Sequence, residues 1–276
     1  GTFRHPVLCT KLLGRKRFLA QRRNDAKHCR VSKGVLCAFA ALRENDFFPL
    51  RLADDLWQTL STMLRVTEIF RSIQGESTHA GRPCTFVRLT GCPMRCVWCD
   101  SEYTFTGGEH FTIDSIMAQV NAFGVNLVEV TGGEPLAQKE AFKLIERLCN
   151  DGFEVLVETG NYVSTEGLDP RAKVILDIKC PASGEEPRNE WSNIERLRPD
   201  MDEVKFVIAD EGDWQYTKRV IKERDLEAHA KAILISPVWG QINLQELADW
   251  VSGSGLNVRM QLQLHKYIWG PDVHGV

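Results

Sequence analysis

Three cysteines, Cys92, Cys96 and Cys99, stand within one short stretch, "RLTGCPMRCVWCDSEYTF" (residues 88–105), spaced C-x3-C-x2-C. Thiolates are soft ligands, so thiols crowded like this point to a metal. Two chemistries fit the spacing. A structural zinc site wants four donors in a tetrahedron, and Cys84, Cys180, His79 or His110 would have to complete it. A cubane iron–sulfur cluster on three thiolates leaves one iron without a protein ligand, free to chelate an amino and a carboxylate group and to pass on an electron. Two further stretches carry chemistry. "TGGEP" (131–135) offers close backbone approach followed by a carboxylate, and taken alone it is equally an ordinary turn. In "SIQGE" (72–76), Gln74 has amide donors and an acceptor, Glu76 is an acceptor and Gly75 permits close approach. Arg88 can clamp a carboxylate bidentately. Taken alone, these residues read as a solvated turn and a surface ion pair.

Something must bring these stretches together. Strand-like runs occupy residues 65–70, 84–90, 126–131, 153–159, 173–178, 203–209, 231–236 and 256–264. Helix-like runs at 112–123, 138–151, 213–225 and 243–254 alternate with them, and 189–197 is a shorter candidate. Strands alternating with helices predict βαβ units and a parallel sheet. Ligands in such sheets lie at the carboxyl ends of the strands. "TGGEP", "ETGN" (158–161), "DIKCP" (177–181) and the cysteine cluster each follow a strand, so four strand ends converge on one rim. No linker interrupts residues 63–276, which are expected to form one catalytic domain.

Residues 1–62 differ in kind. They hold twelve basic and five acidic residues, a net of +7, whereas the remainder nets −10. "TKLLGRKRFLAQRR" has some features of a targeting peptide, but the segment is poor in serine. The expectation is a poorly ordered extension outside the catalytic domain, with Met63 as the natural start. Over the whole chain the net charge is −3, which gives no reason to expect nucleic acid or an anionic membrane as partner. No apolar run is long enough to span a bilayer. Nine cysteines, an odd number, without a secretory signal read as a protein of a reducing, cytoplasmic compartment.

C-x3-C-x2-C with Trp98 before the last cysteine, together with "TGGEP", resembles the radical S-adenosylmethionine superfamily. Residues 68–105 and the C-terminal "QLQLHKYIWGPDVHGV" (261–276) are further similar to the 7-carboxy-7-deazaguanine synthase family. The resemblance implies an α/β fold, a partial (β/α)6 TIM-like barrel. It implies one 4Fe-4S cluster with an open iron, held by Cys92, Cys96 and Cys99, and S-adenosylmethionine cleaved reductively to a 5′-deoxyadenosyl radical. Trp98, Cys99, Asp100, Gly133, Glu134, Asp177, Ile178 and Lys179 match cofactor-contacting positions, the GGE stretch toward the amino group and Lys179 toward the carboxylate. Ser101 matches a position whose hydroxyl touches Mg2+, although many relatives carry Thr there and a helix N-cap would use Ser equally well. Ile73, Gln74, Gly75, Glu76, Arg88, Thr131, His265 and Val276 match substrate positions.

The implied reaction converts 6-carboxy-5,6,7,8-tetrahydropterin to 7-carboxy-7-deazaguanine, a queuosine precursor, with loss of ammonia. The implied partners are a second copy of the chain and a flavodoxin- or ferredoxin-type electron donor. Cys84, Cys149 and Cys180 are expected to be small core residues. The competing readings are a glycyl-radical activase, which has no need of "SIQGE" with Arg88, and a zinc-stabilised binding module.

Overall fold

The computed structural model describes residues 63–276. The extension expected over residues 1–62 lies outside them. Nine strands form one sheet in the order β3-β1-β2-β4-β5-β6-β7-β8-β9. They are β1 (Leu64–Ile73), β2 (Pro83–Leu89), β3 (Glu109–Phe111), β4 (Leu127–Gly132), β5 (Glu154–Thr159), β6 (Lys173–Ile178), β7 (Glu203–Ile208), β8 (Ala232–Pro237) and the two-residue β9 (Arg259–Met260). From β2 to β9 every neighbouring pair is parallel. β1 and β3 add an antiparallel edge. Six full-length parallel strands with β9 at one edge make the expected partial barrel, left open where a complete one would close.

Helices carry four of the crossovers. α1 (Ile113–Phe123) precedes β4, α2 (Glu140–Asn150) joins β4 to β5, α3 (Glu211–Glu223) and α4 (Leu226–His229) join β7 to β8, and α5 (Leu244–Ser252) leads to β9. Their ends follow local chemistry. Thr112, Asp210 and Asn243 cap α1, α3 and α5 by accepting from first-turn N–H groups, and Gly124 ends α1 in the left-handed region. The connections around β6 have no α-helix. β5 reaches β6 through coil, and β6 reaches β7 through three 3-10 turns, one of them the 189–197 candidate at Trp191–Arg196.

Strand alternation sorts the side chains into two sets. Val87, Leu89, Val128, Val130, Val155 and Val157 face outward onto α1 and α2, where Ile116, Leu144, Ile145 and Leu148 are fully buried. Leu176, Ile178, Val204, Phe206, Ile233 and Ile235 do the same toward Trp214, Val220, Ile221 and Leu247. Inside the barrel, Cys84, Phe86, Leu127, Leu156 and Ile175 form a small apolar floor. Above it, most inward positions are polar or charged, among them Arg88, Glu129, Glu158, Asp177 and Lys205.

The run 256–264 departs from expectation. Only Arg259–Met260 pairs as strand, and α6 (Leu264–Ile268) begins within the predicted element. Its alternating glutamines are taken by side-chain bonds. Gln261 donates to Ser236 Oγ (2.9 Å) and accepts from the Ser77 amide (2.8 Å), and Gln263 donates to Glu76 (2.9 Å). These bonds tie the edge of the open barrel to the loop after β1. That loop, residues 74–82, folds in on itself through Gln74 N to Arg82 O (2.8 Å) and Gly81 N to Gln74 O (2.8 Å). It reaches Glu129 on one side and Glu203 and Gln261 on the other, and so bridges the gap that the missing strands leave.

Candidate active site

The cysteine loop leaves β2 and closes on itself. Gly91 N donates to Thr104 O (2.7 Å), so both ends of residues 91–104 are joined. Inside it, Cys99 N bonds Cys96 O (3.2 Å), and Arg95 Nη1 donates to the carbonyls of Cys92 (2.7 Å) and Met94 (2.6 Å). Outside contacts pin it from β6's side: Val97 N to Ser183 O (3.0 Å) and Arg95 N to Glu185 (2.6 Å). The three thiols are half-buried and line one cavity of about 590 Å³. Burial raises the pKa of all three.

The end of β4 docks directly on this loop. Gly133 N donates to Leu89 O (3.1 Å) and Glu134 N to Gly91 O (2.9 Å). A Cβ at Gly133 would lie 2.5 Å from Gly91 O and 2.7 Å from Cys92 Cβ. The glycine is therefore required by close approach of two backbones. Glu134 turns away from the cavity. Fully buried, it accepts from Thr159 Oγ1 (2.9 Å), Gly160 N (2.8 Å) and Leu136 N (3.0 Å), which fastens the end of β4 to that of β5.

Below the thiols the cavity wall is ionic. Lys179 bonds Asp177 Oδ2 (2.8 Å) and lies 5.9 Å from the Trp98 ring. Burial disfavours its charge, but Asp177 and Cys96 outweigh that and its pKa rises. Lys205 sits among Glu158, Glu76 (3.2 Å) and Asp177 (3.9 Å), which hold it charged against burial. Glu129 takes a hydrogen bond from Gln74 Nε2, and burial, reinforced by Glu158 and Glu76, raises its pKa well above its ordinary value. Arg88 donates from Nε to Glu68 (2.8 Å). Asp100 is paired with Lys266 (2.7 Å), which overcomes burial and keeps it ionised.

The donor set bears on the choice between the metal chemistries. Among the described residues no three His, Cys, Asp or Glu side chains converge on a point where a single ion could sit. Of the fourth zinc ligands considered, Cys84 and Cys180 are buried in separate hydrophobic clusters, His79 pairs with Glu154 (3.2 Å), and His110 lies on the edge strand β3, off the cavity. Thiols that share a cavity without converging suit three separate irons. Two buried polar atoms of the cavity residues, Trp98 Nε1 and Asp177 Oδ1, have no partner among the described residues. A ligand rich in donors and acceptors would satisfy them, and the residues present fit a cubane cluster with a small polar cofactor on it.

Comparison with known proteins agrees with this geometry. Residues 86–181 match the Radical SAM superfamily. The 7-carboxy-7-deazaguanine synthase of Chlorobaculum tepidum is 46% identical over 215 residues, covering 77% of this chain and 97% of that protein. The chain belongs to the 7-carboxy-7-deazaguanine synthase family. The synthase of Koribacter versatilis is 41% identical over 227 residues, covering 77% of this chain and all of its own length. The crystal structure of QueE from Escherichia coli superimposes with a TM-score of 0.61 at 21% identity, over 75% of this chain and 97% of that one, and supports the fold. Membership in this synthase family sets aside the glycyl-radical activase and the zinc module, and brings a 4Fe-4S cluster and S-adenosylmethionine.

Within the family's frame, most of the residues singled out by sequence do meet. Ile73, Gln74, Gly75, Glu76, Arg88, Cys92, Cys96, Trp98, Cys99, Asp100, Ser101, Thr131, Gly133, Asp177, Lys179, His265 and Val276 all line the one cavity. Two do not. The Ile178 side chain points outward into the α3–α5 core, so only its backbone is available to the rim. Glu134 is engaged behind the rim, as described. Ser101 Oγ donates to Asp100 Oδ1 (2.9 Å), and no side-chain cap bond forms at the 3-10 turn that follows it.

Sequence reasoning missed Glu68, Tyr103, Glu129, Glu158, Lys205 and Lys266. The signal was present for three of them. Glu129, Glu158 and Lys205 are charges at inward positions, each flanked on both sides by outward apolar residues or by one apolar residue and a strand-end threonine, in "LVEVT", "VLVET" and "EVKFVI".

Proposed function

We propose that this chain catalyses the synthase reaction of its family, converting 6-carboxy-5,6,7,8-tetrahydropterin to 7-carboxy-7-deazaguanine with loss of ammonia. One observation carries the reading. Three thiols and an inward layer of Arg88, Glu129, Glu158 and Lys205 line the same cavity. A cluster ligand and a charged, hydrogen-bonding heterocycle can thus lie side by side. The catalytic domain in this reading is residues 63–276.

Cys92, Cys96 and Cys99 would hold the cluster, with Trp98, Asp100, Gly133, Asp177 and Lys179 around the cofactor and the backbone of Ile178 and Glu134 behind it. When bound, cluster and S-adenosylmethionine supply hydrogen-atom abstraction. The remaining work is done by the protein's own groups. Arg88 fixes the substrate carboxylate, helped by Thr131, its partner on the neighbouring strand, and by His265 and Val276 of the same cavity. Gln74 and Glu76, with Ile73 and Gly75 shaping the approach, face the aminopyrimidine edge. Gln74 is already oriented, since its Oε1 accepts from Glu76 N (3.0 Å) while its Nε2 points at Glu129. Burial, reinforced by the neighbouring Glu158 and Glu76, raises the Glu129 pKa and so favours its protonated form. Lys205 offers the cavity a fixed positive charge.

Three finer assignments belong to the same proposal. Ser101 Oγ, beside Asp100, contributes to a Mg2+ site completed by substrate oxygens and water. The electron donor is of the flavodoxin or ferredoxin type, in a reducing, cytoplasmic compartment that suits unprotected thiols. The chain works as a homodimer, a state favoured by the exposed Tyr267, Ile268 and Trp269 of the C-terminal segment. The test is anaerobic reconstitution with iron and sulfide, followed by product analysis with the carboxytetrahydropterin, with and without Mg2+. Formation of the deazapurine is expected. Cofactor cleavage without it, at any substrate concentration, would refute the substrate assignment.

A further inference from the structure

β1 contains an irregularity that bears on Arg88. In its pairing with β2 the register shifts between Val66 and Glu68, so Thr67 is an extra residue in the strand. Before the shift, Leu64 and Val66 face the outer core beneath α1. Regular alternation would send Glu68 to that same apolar face. After the shift the parity is reversed. Ile69 packs on the outer core, while Phe70 packs on the inner floor. Glu68, of Phe70's parity, turns inward and stands directly opposite Arg88 across the ladder. A bulge re-aims side chains in this way at the cost of a regular ladder bond.

The geometry that results is specific. Glu68 Oε1 accepts from Arg88 Nε at 2.8 Å and from the Tyr103 hydroxyl at 3.0 Å. The guanidinium carbon lies 5.8 Å from the centre of the Phe70 ring. Held at Nε and flanked by the ring, Arg88 has both terminal nitrogens without a hydrogen-bond partner among the described residues. Tyr103 lies four residues beyond Cys99, and its ring meets that of His274 with centroids 4.1 Å apart. One carboxylate therefore joins Arg88, the end of the cysteine loop and the C-terminal segment.

We propose that Glu68 is a positioning residue for the substrate carboxylate: the β1 bulge presents it to Arg88 Nε, which aims the free guanidinium fork into the cavity in fixed register with the cysteine loop. This rests on the reading of Arg88 as the carboxylate clamp. A guanidinium gripped at one edge keeps its plane, and a bidentate contact depends on that plane. Glu68 needs only to accept, so the amide of Gln can replace it, whereas Ala cannot.

The experiment compares two ligands, the carboxytetrahydropterin and a tetrahydropterin lacking the carboxylate. Binding of each is measured anaerobically for the reconstituted wild-type protein and for the Glu68→Ala, Glu68→Gln, Arg88→Ala and Glu68→Ala/Arg88→Ala variants. Glu68→Ala is expected to weaken the carboxylated ligand about tenfold and to leave the other unchanged. Glu68→Gln should recover most of that loss. In the Arg88→Ala background, Glu68→Ala should add nothing, because it acts through Arg88. The ratio of 5′-deoxyadenosine to deazapurine should rise in Glu68→Ala and return toward the wild-type value in Glu68→Gln. If Arg88→Ala abolishes discrimination between the ligands and Glu68→Ala does not touch it, the inference fails and the clamp reading stands. If Arg88→Ala leaves discrimination intact, the clamp reading fails and the inference with it. Equal weakening of both ligands by Glu68→Ala would mean a merely structural role. Should Glu68→Ala fail to fold, Glu68→Thr takes its place with the same outcomes.

Discussion

Gly133→Ala tests the contact between the two motif-bearing stretches. Its new methyl would lie 2.5 Å from Gly91 O, 2.8 Å from Gly91 C and 2.7 Å from Cys92 Cβ. None of these is the far end of a flexible side chain, so the end of β4 and the start of the cysteine loop must part by roughly 0.5–1 Å, at an overpacking cost of about 1–3 kcal/mol. The same movement stretches the bonds from Gly133 N to Leu89 O and from Glu134 N to Gly91 O, each contributing on the order of 1 kcal/mol. A displacement near 1 Å at a reacting centre costs about a hundredfold in rate. Reductive cleavage of S-adenosylmethionine should therefore fall on the order of a hundredfold, while all three thiols remain to bind iron.

Gly152→Ala is the control. Gly152 has φ of +89° and no atom within 4 Å of the added Cβ. It carries conformational strain of about 1–2 kcal/mol and no clash. Its melting temperature should drop by several degrees, with iron content and cofactor cleavage unchanged. Both variants are measured by anaerobic iron and sulfide analysis, 5′-deoxyadenosine yield and thermal unfolding. Wild-type cleavage by Gly133→Ala, or equal loss in both variants, would refute the argument that close backbone approach sets the site.

Cys92→Ala, Cys96→Ala and Cys99→Ala should each abolish cluster assembly, whereas Cys84→Ala, Cys149→Ala and Cys180→Ala should keep a full iron complement; iron analysis and the visible spectrum decide. Deletion of residues 1–62 should leave turnover intact, and a truncated protein that fails to fold or turn over would overturn the domain assignment. Hydrogen bonds and charge from Arg82, with Lys173, pull the Glu154 carboxyl down to about 2 against some burial. A depressed folded-state pKa stabilises above the unfolded value, about 4.5, and that stabilisation is lost as pH falls from there toward 2. The melting temperature should thus decline over this window, and Glu154→Gln should flatten the decline. Arg88→Lys should bind substrate yet turn it over far more slowly, and Arg88→Ala should lose both, with uncoupled cofactor cleavage surviving in each; product formation by Arg88→Ala at the wild-type rate would make Arg88 a bystander.

Much of this was legible in the sequence because it depends on local pattern. Apolar residues at period two and at helical spacing located the six full-length parallel strands and four long helices to within a few residues. The rule that ligands lie at strand carboxyl ends then placed the cysteine loop, "TGGEP" and "DIKCP" on one rim. The failures occur where tertiary contacts override pattern. Residues 256–264 alternate as a strand should, but they lie at the open edge of the barrel, where the loop after β1 competes for Gln261 and Gln263 and wins.

The site's ionic layer was hidden for a related reason. Glu129, Glu158 and Lys205 each sit in a strand that reads as buried, and a single charge in such a strand is ambiguous until its partners are known. Charges and partners together come from four different stretches, residues 74–76, β4, β5 and β7: Gln74 stands opposite Glu129, and Glu76 and Glu158 opposite Lys205. Glu68 was harder still. Its place follows from one extra residue in β1, which hydrophobic periodicity read from one end of the strand alone does not reveal. Counting forward from Leu64 and Val66 puts Glu68 in the apolar core, while counting back from Phe70 puts it in the cavity. The conflict between the two counts is itself the signal. A carboxylate that one phase would bury unpaired, and that the other sets opposite an arginine, forces the strand to change phase between them.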